Sequence, residues 1–372
     1  MQIKPVGEGA TLADFIEVPW NLYGDDPNWV PPLKFERKDA LAPKAPFFGH
    51  ADWQGWVAYA DGKPMGRISA QIDHLYEPRH GEKAGYFGFI EAPDEQAWFD
   101  ALLETAADWL RARGRERMVG PFNLGVNQEV GLLVDGFDKP PYFMMGHHLP
   151  YYGERLETAG MGRAQEMLAY LMDPDYKTPR VQTMLQKRYM GGVTVRSINK
   201  KNLDAELATM RDIFNDAWAN NWGFVPFTEQ EFAAVGQELL LITPAEFLQI
   251  AELDGRAVAF IVMLPNVNDI IADLNGNLLP FGWAKALWRL KAQPLRSGRV
   301  PLMGVRREFH HTRLGPGLAY ALIGALRAPA LNKGMQEVEL SWILETNAGM
   351  CGIIESLGGY VSKRYRMYDR DL

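Results

Sequence analysis

Residues able to do chemistry crowd into two stretches of this chain. The first reads His310, His311, Thr312, Arg313, Leu314, Gly315, Pro316, Gly317 and runs straight into an apolar helical pattern. A helix start offers unpaired backbone N–H groups and the positive end of the helix dipole, and Gly-Pro-Gly keeps side-chain bulk away from it. That combination suits a phosphate-bearing ligand. The second stretch, from Gly120 to Tyr152, sets Asn123, Asn127, Gln128, Glu129, His147, His148, Tyr151 and Tyr152 in a frame rich in glycine and proline. Long irregular segments of this kind line substrate clefts, but Asn and Gln side chains also satisfy the backbone of their own loop, so both readings stand. His147 and His148 are adjacent and have no evident third ligand, so no metal site is expected.

The elements that must position these residues follow one grammar, used twice. Hairpins are predicted around Asp61-Gly62 and Asp254-Gly255, with further strands at Gly85 to Ala92 and over VPLMGVRREF. A helix follows each: one with Trp98, Phe99, Leu102, Leu103, Ala106, Trp109 and Leu110 on its apolar face, stopped at Gly114, the other with Leu318, Leu322, Ala325 and Leu326. Pro329 is expected to kink or shorten the second. Strands at Met118 to Phe122 and Val338 to Glu345, then helices ending at Gly160 and Gly358, complete the two copies. With 372 residues, 47% of them hydrophobic, the chain can fill two cores.

Strand, glycine loop, helix, strand, then Asn347 with Gly358 behind it, resembles the acyl-CoA N-acyltransferase (GNAT) superfamily. The implied fold is α/β in the α+β sense: tandem GNAT-like domains, each a mixed, mostly antiparallel sheet flanked by helices. The implied division is 1–180 for a degenerate first copy and 190–372 for the copy that binds acyl-CoA. In that family the loop reads Gln/Arg-x-x-Gly-x-Gly/Ala and its amides hold the coenzyme pyrophosphate; here Gly315 and Gly317 match, and Thr312 stands at the leading position. The resemblance assigns donor binding to Val305, Arg306, Arg307, Arg313, Leu314, Gly315, Pro316, Gly317, Leu318, Ala319 and Asn347. The first copy has EAPDEQAWF instead, where Glu91, Asp94 and Glu95 would repel a pyrophosphate.

FIEVPWNLYGDDPNWVPPL, GPFNLGVNQEVGLLVDGFDKPPYFMM, AWANNWGFVPFTEQEF and ELSWILETNAGM together resemble a two-domain bacterial GNAT family associated with ceramide synthases. That implies transfer of an acyl group from acyl-CoA or an acyl carrier protein to an amine, a long-chain base by this likeness, through direct attack. Such a step needs a base and an acid for the leaving thiolate. The tyrosine many relatives carry after the asparagine is replaced by Ile354, and by Leu156 in the first copy. Glu345, His310 and His311 are the candidate bases and Tyr365 the substitute acid, against a capping role for Glu345 and a solvated loop for the histidines. Asn127, Glu129, His147, Tyr151, Trp222 and Phe224 are the candidate acceptor-binding residues, with core packing the competing reading for the aromatics. Cys351 could support covalent chemistry, but it falls on the apolar pattern of the last helix and reads as core.

A lipid acceptor would leave apolar traces, and LLPFGWAKALWRLKAQPLRSGR supplies them: Phe281, Ala284, Leu287 and Trp288 on one face, with Lys285, Arg289, Lys291, Arg296 and Arg299 nearby. The segment suits either an anionic membrane surface or a helix packed on its own core. The net charge of −7 disfavours nucleic acid as a partner. No window approaching 18 apolar residues was found, so a cytoplasmic protein without a spanning segment is expected, in contact with the inner membrane if its acceptor is a lipid. A non-catalytic acyl-CoA or lipid sensor is the alternative that the missing tyrosine allows.

Overall fold

The structure is a computed structural model describing residues 1–372. It resolves into two compact units. Unit 1 comprises Met1–Met167, Ile271–Trp283 and Lys363–Leu372; unit 2 comprises Leu168–Ile270 and Ala284–Ser362. The expected division at 180–190 is therefore displaced, and the end of the chain returns to the first unit, because its last strand pairs there.

Unit 1 is built on β1 (Gln2–Pro5), β2 (Ala51–Ala60), β3 (Lys63–Asp73), β4 (Ala84–Glu91) and β5 (Arg117–Gly120), in that spatial order. The C-terminal part of β15 (Tyr360–Asp371) adds to β5 in antiparallel register, Tyr368 opposite Gly120. The β2–β3 turn works because Asp61 and Gly62 both adopt left-handed φ, 49° and 78°, as a two-residue hairpin requires. Helices α1 (Leu12–Leu22) and α2 (Lys34–Ala40) precede β2. Helix α3 (Gln96–Arg111) crosses from β4 to its parallel neighbour β5. It buries Phe99, Leu102, Leu103 and Leu110 completely, each contributing about 1.5–3 kcal/mol. Between β5 and helix α4 (Tyr152–Thr158) lie two short strands, β6 (Phe122–Asn123) and β7 (Glu129–Val130), paired with each other, and β8 (Leu132–Asp135), which pairs with β15.

Strand β9 (Gly162–Met172) ends in unit 2, where helix α5 (Arg180–Tyr189), β10 (Val193–Ser197), α6 (Leu203–Ala217) and α7 (Glu229–Leu240) follow. The sheet of unit 2 pairs β10 with β11 (Leu248–Leu253), then β12 (Arg256–Pro265), β13 (Ser297–Val305) and β14 (Glu337–Leu344), antiparallel except for the parallel β13–β14 pair. Helix α8 (Gly282–Ala292) precedes β13. Helix α9 (Leu314–Asn332) makes the crossover to β14, and α10 (Ala348–Ser356) follows.

Two expectations about α9 need revision. Pro329 does not end the helix, which runs on to Asn332. So near the C-terminus its missing N–H costs one intrahelical bond, and the Pro329 carbonyl still accepts from Lys333. Its 19 residues are also long and apolar enough to cross a membrane by length and composition, contrary to the sequence reading. Leu318, Ala319, Tyr320, Leu322, Ile323 and Leu326 are buried in unit 2, which accounts for that composition as a core helix.

Candidate functional site

Ser297 to Val300 of β13 pair in parallel with Glu337 to Leu340 of β14. Both strands then continue, to Val305 and to Leu344, without pairing with each other, so the sheet forks. Arg299, fully buried, braces the apex: its Nε donates to Ser341 Oγ at 2.8 Å, Nη2 donates to the Ser341 carbonyl at 3.3 Å, and its guanidinium lies 4.7 Å from the Trp342 ring centre. Ser341 Oγ in turn donates to Glu339 Oε1 at 2.7 Å. The sequence reading grouped Arg299 with the basic residues of a surface; burial removes it from that surface. Beyond the apex Pro301, Leu302, Met303, Trp342, Ile343 and Leu344 are each only half-buried. Backbone amides along such a fork can pair with an extended, amide-bearing chain, and the apolar side chains suit its methylene stretches. Two carbonyls on β13 are already engaged, Met303 by Trp218 Nε1 at 3.0 Å and Val305 by His310 Nε2 at 2.6 Å.

Just past this strand lies the glycine loop. A Cβ on Gly315 would stand 2.4 Å from the Phe309 carbonyl oxygen, and one on Gly317 would stand 2.9 Å from Met190 Sδ. Gly315 is therefore required by the unit's own backbone, whatever the loop binds, whereas a side chain at 317 would need the flexible Met190 to move. Thr312 Oγ1 accepts from the Leu314 amide at 3.2 Å and donates to the Phe309 carbonyl at 2.9 Å, which explains how Thr serves at that position as a local cap. Pro316 brings no amide proton, so the Gly315 amide and the dipole of α9 are what the helix start offers an anion.

The arginines divide by partner. Arg306 pairs with Asp212 through Nη2, and Arg307 donates from its backbone N–H to Asp216 Oδ2 at 2.8 Å and from Nε to Asp216 Oδ1 at 3.1 Å. Burial pushes the Asp216 carboxyl up, but these Arg307 bonds and nearby charges outweigh it and hold it low. Arg313 is exposed and donates to the Tyr189 hydroxyl at 2.6 Å rather than to a carboxylate, so its charge is the best placed of the three for a phosphate.

Glu345 is exposed at the end of β14. The helix cap at this point is Asn347, whose Oδ1 accepts from the Met350 amide at 3.1 Å. His310 and His311 are exposed. Because a carbonyl can only accept, His310 carries its proton on Nε2, leaving Nδ1 as the basic nitrogen. Tyr365 is a correction: it is fully buried in unit 1 and its hydroxyl donates to the Gly146 carbonyl at 3.2 Å. Ile354 is fully buried too. Cys351 is half-exposed rather than core, and Tyr170 reaches it and donates to Glu355 Oε1 at 3.0 Å. Burial and these two neighbours raise the Tyr170 hydroxyl pKa. Tyr170, on β9 and far from α10 in sequence, carried no signal that could have found it.

The candidate acceptor residues fall in both units. Asn127, Glu129, His147 and Tyr151 belong to unit 1, Trp222 and Phe224 to unit 2. Phe224 packs on Phe214 in the core, with ring centres 6.0 Å apart. Glu129 pairs with Arg37 and accepts from Asn123 Nδ2 at 3.0 Å; burial raises its carboxyl, but Arg37 overrides this and lowers it. His147 Nε2 meets Asp26 at 2.7 Å, and burial lowers its pKa. The Tyr151 hydroxyl donates to the Ala92 carbonyl at 2.8 Å. The structural reading of this loop prevails for Asn123, whose Oδ1 takes the Phe89 amide, and for Gln128, whose Oε1 takes the Gly125 amide.

Unit 1 contains its own parallel pair, β4 with β5, but there β5 ends at Gly120 and the chain folds into β6 and β7. Gly88 on β4 lies so close to the Phe122 carbonyl that a Cβ would stand 1.7 Å from its oxygen. Glu91, expected to face a ligand and repel it, is buried. Tyr23 and Tyr152 donate to its Oε2, the latter at 2.7 Å, and Arg67 Nη2 lies 3.4 Å from Oε1. Burial raises the Glu91 carboxyl pKa against the opposing pull of Arg67 and the two hydroxyls. Two surface depressions of about 540 and 560 Å³ also lie in unit 1, one by Glu154, Glu157 and Arg366, the other by Asp73, His74 and Arg115. Neither touches the glycine loop.

No family model matches the chain. It is 47% identical over 362 residues to Protein YghO of Escherichia coli (strain K12), spanning 97% of this chain and 93% of that one. It is 45% identical over 375 residues to the bacterial ceramide synthase of Caulobacter vibrioides (strain NA1000 / CB15N), spanning 100% and 98%. Among solved structures it is similar to a tandem GNAT protein from the clavulanic acid biosynthesis pathway, with a TM-score of 0.56 at 13% identity over 100% of this chain and 98% of that one. A GCN5-related N-acetyltransferase from Sphaerobacter thermophilus gives a TM-score of 0.53 at 13% identity over 99% and 95%.

Proposed function

The chain belongs to the GNAT acyltransferase superfamily, in the two-domain bacterial group that includes the Caulobacter ceramide synthase, and on that premise we propose that it transfers an acyl group from a thioester to a primary amine. The carrying observation is the fork in unit 2, open along half-buried apolar edges beside the start of α9. We assign acyl-CoA as the donor, its pyrophosphate at the helix start near Arg313 and its pantetheine arm along β13. An acyl carrier protein would present the same arm without the nucleotide. The 45% identical relative makes a long-chain base the acceptor of choice.

In this reading the neutral amine attacks the thioester carbonyl, the new C–N bond forms as the C–S bond breaks, and the amine proton passes to a base and from it, relayed by water, to the leaving thiolate. Glu345 and His310 Nδ1 are the bases nearest the fork in sequence; Glu345→Gln is expected to lower kcat on the order of a hundredfold or more while leaving donor affinity intact. Incubation with a long-chain acyl-CoA and a sphingoid base, with mass spectrometric detection of the amide, tests the assignment. Ile354, buried at the position where the GNAT resemblance implies a tyrosine, supports the second reading, a sensor that binds acyl-CoA without chemistry. Donor binding with no amide formed from any amine offered would select that reading.

A further inference from the structure

Helix α8 is built inside out. None of its residues is buried, yet it carries Trp283, Leu287 and Trp288, 53%, 44% and 59% exposed. The turn leading into it adds Leu279 at 80% and Phe281 at 77%. At 100° per residue Trp283, Ala284, Leu287, Trp288 and Lys291 share one arc. The half-buried residues Ala286, Arg289 and Leu290 lie on the other side. There Arg289 Nη1 donates to the Ile270 carbonyl at 2.6 Å. The side facing the protein is thus the weaker apolar side, and the strong one faces water. An ordinary core-packed amphipathic helix has the reverse arrangement, so that reading of the segment is overturned.

Charge identifies the occupant. From Leu274 to Arg307 the chain contains no Asp or Glu, although its net charge is −7. Within that span Lys285 and Lys291 on α8, and Arg296 just beyond it, are exposed. A two-fold dimer built on this face would set the cluster against its own copy and repel it, whereas a bilayer with anionic headgroups gains from both parts. Indole rings settle at the headgroup boundary, apolar side chains enter the acyl region, and lysine and arginine face the phosphates.

We propose that Leu279 to Lys291 docks this protein on the surface of an anionic lipid bilayer. The docking does not rest on the acyl-transfer reading, and vesicle binding is measured without any substrate, so the two fail separately. The test is co-flotation of the full chain with vesicles of phosphatidylcholine alone and of phosphatidylcholine with phosphatidylglycerol. Binding to the anionic vesicles that falls with added salt is expected, and Phe281→Ser/Trp283→Ser/Trp288→Ser should weaken it at least about tenfold. Lys285→Glu/Lys291→Glu should weaken it as well, with the melting temperature of both variants unchanged because no residue of α8 is buried. Anionic-vesicle binding unaffected by the apolar variant would overturn the proposal. So would absence of binding to either vesicle, or a dimer in solution that the apolar variant converts to monomer without any vesicle binding.

Discussion

The two units carry the same parallel strand pair and treat its open end in opposite ways. In unit 1, β5 stops at Gly120 and the chain folds back, so the Phe122 carbonyl occupies the space a side chain on Gly88 would need, and Asn123 and Gln71 tie the segment to the sheet. In unit 2, β14 runs on past Leu340 as β13 diverges, and the residues beyond the apex stay half-buried. The neighbouring helix starts differ likewise: α3 begins behind Asp94 and Glu95, α9 behind Arg313 and beside a glycine loop. One architecture thus yields a fork plugged by its own backbone and another whose apolar edges reach solvent. The difference lies in what the chain does after the second strand of the pair, more than in the pair itself.

That contrast can be broken at its strongest point first. Gly88→Ala should leave no folded unit 1, a loss above about 4 kcal/mol, because backbone rather than a movable side chain blocks the Cβ; soluble yield and a thermal melt would show it, and a native melt would mean the plug is not rigid. Arg299→Ala should cost about 3–5 kcal/mol by stranding the buried Glu339–Ser341 pair at the apex of the other fork, measured by urea unfolding. Acid should find unit 1 through His148, which is buried and accepts the Leu133 amide on Nδ1 at 3.1 Å. Burial, aided by His147, depresses its pKa from 6.5 to about 3. The unfolded chain therefore takes up a proton that the folded one refuses, and stability present above pH 6.5 is lost as pH falls toward 3. At about pH 5 the loss is roughly 2 kcal/mol, and His148→Gln should flatten that limb of the stability profile. The smallest effect sharpens the functional side: Arg313→Glu should weaken acyl-CoA binding by about tenfold in titration calorimetry with no change in melting temperature. An equal loss from Arg155→Glu, beside Asp94 in unit 1, would move the donor to the wrong unit.

Much of this was legible from local pattern. The turns at Asp61-Gly62 and Asp254-Gly255 need residues that tolerate left-handed φ, and both strand pairs formed around them. The apolar periodicity from Trp98 to Leu110 fixed α3 because a 3.6-residue repeat has only one way to bury its face. Roles were less legible than elements. Tyr365 and His147 carry side chains fit for chemistry and Phe224 one fit to line a site, and each is spent on packing or on a nearby partner. Arg299 looked like a surface cation because its neighbours are, and only the strand pairing revealed it as the buried brace of the fork. Glu91 looked like a repulsive loop acid, and Tyr23 and Tyr152, distant in sequence, turn it into a core group.

By itself the sequence determined the repeated strand-helix-strand order and the glycine-rich start of α9, since hydrophobic period, turn residues and helix-end chemistry are properties of contiguous residues. Tertiary structure alone decided which fork is plugged, which arginine is buried, and where the last strand belongs. Those depend on backbone groups brought together from remote segments, Gly88 with Phe122 and Tyr368 with Gly120, whose proximity no local spacing encodes.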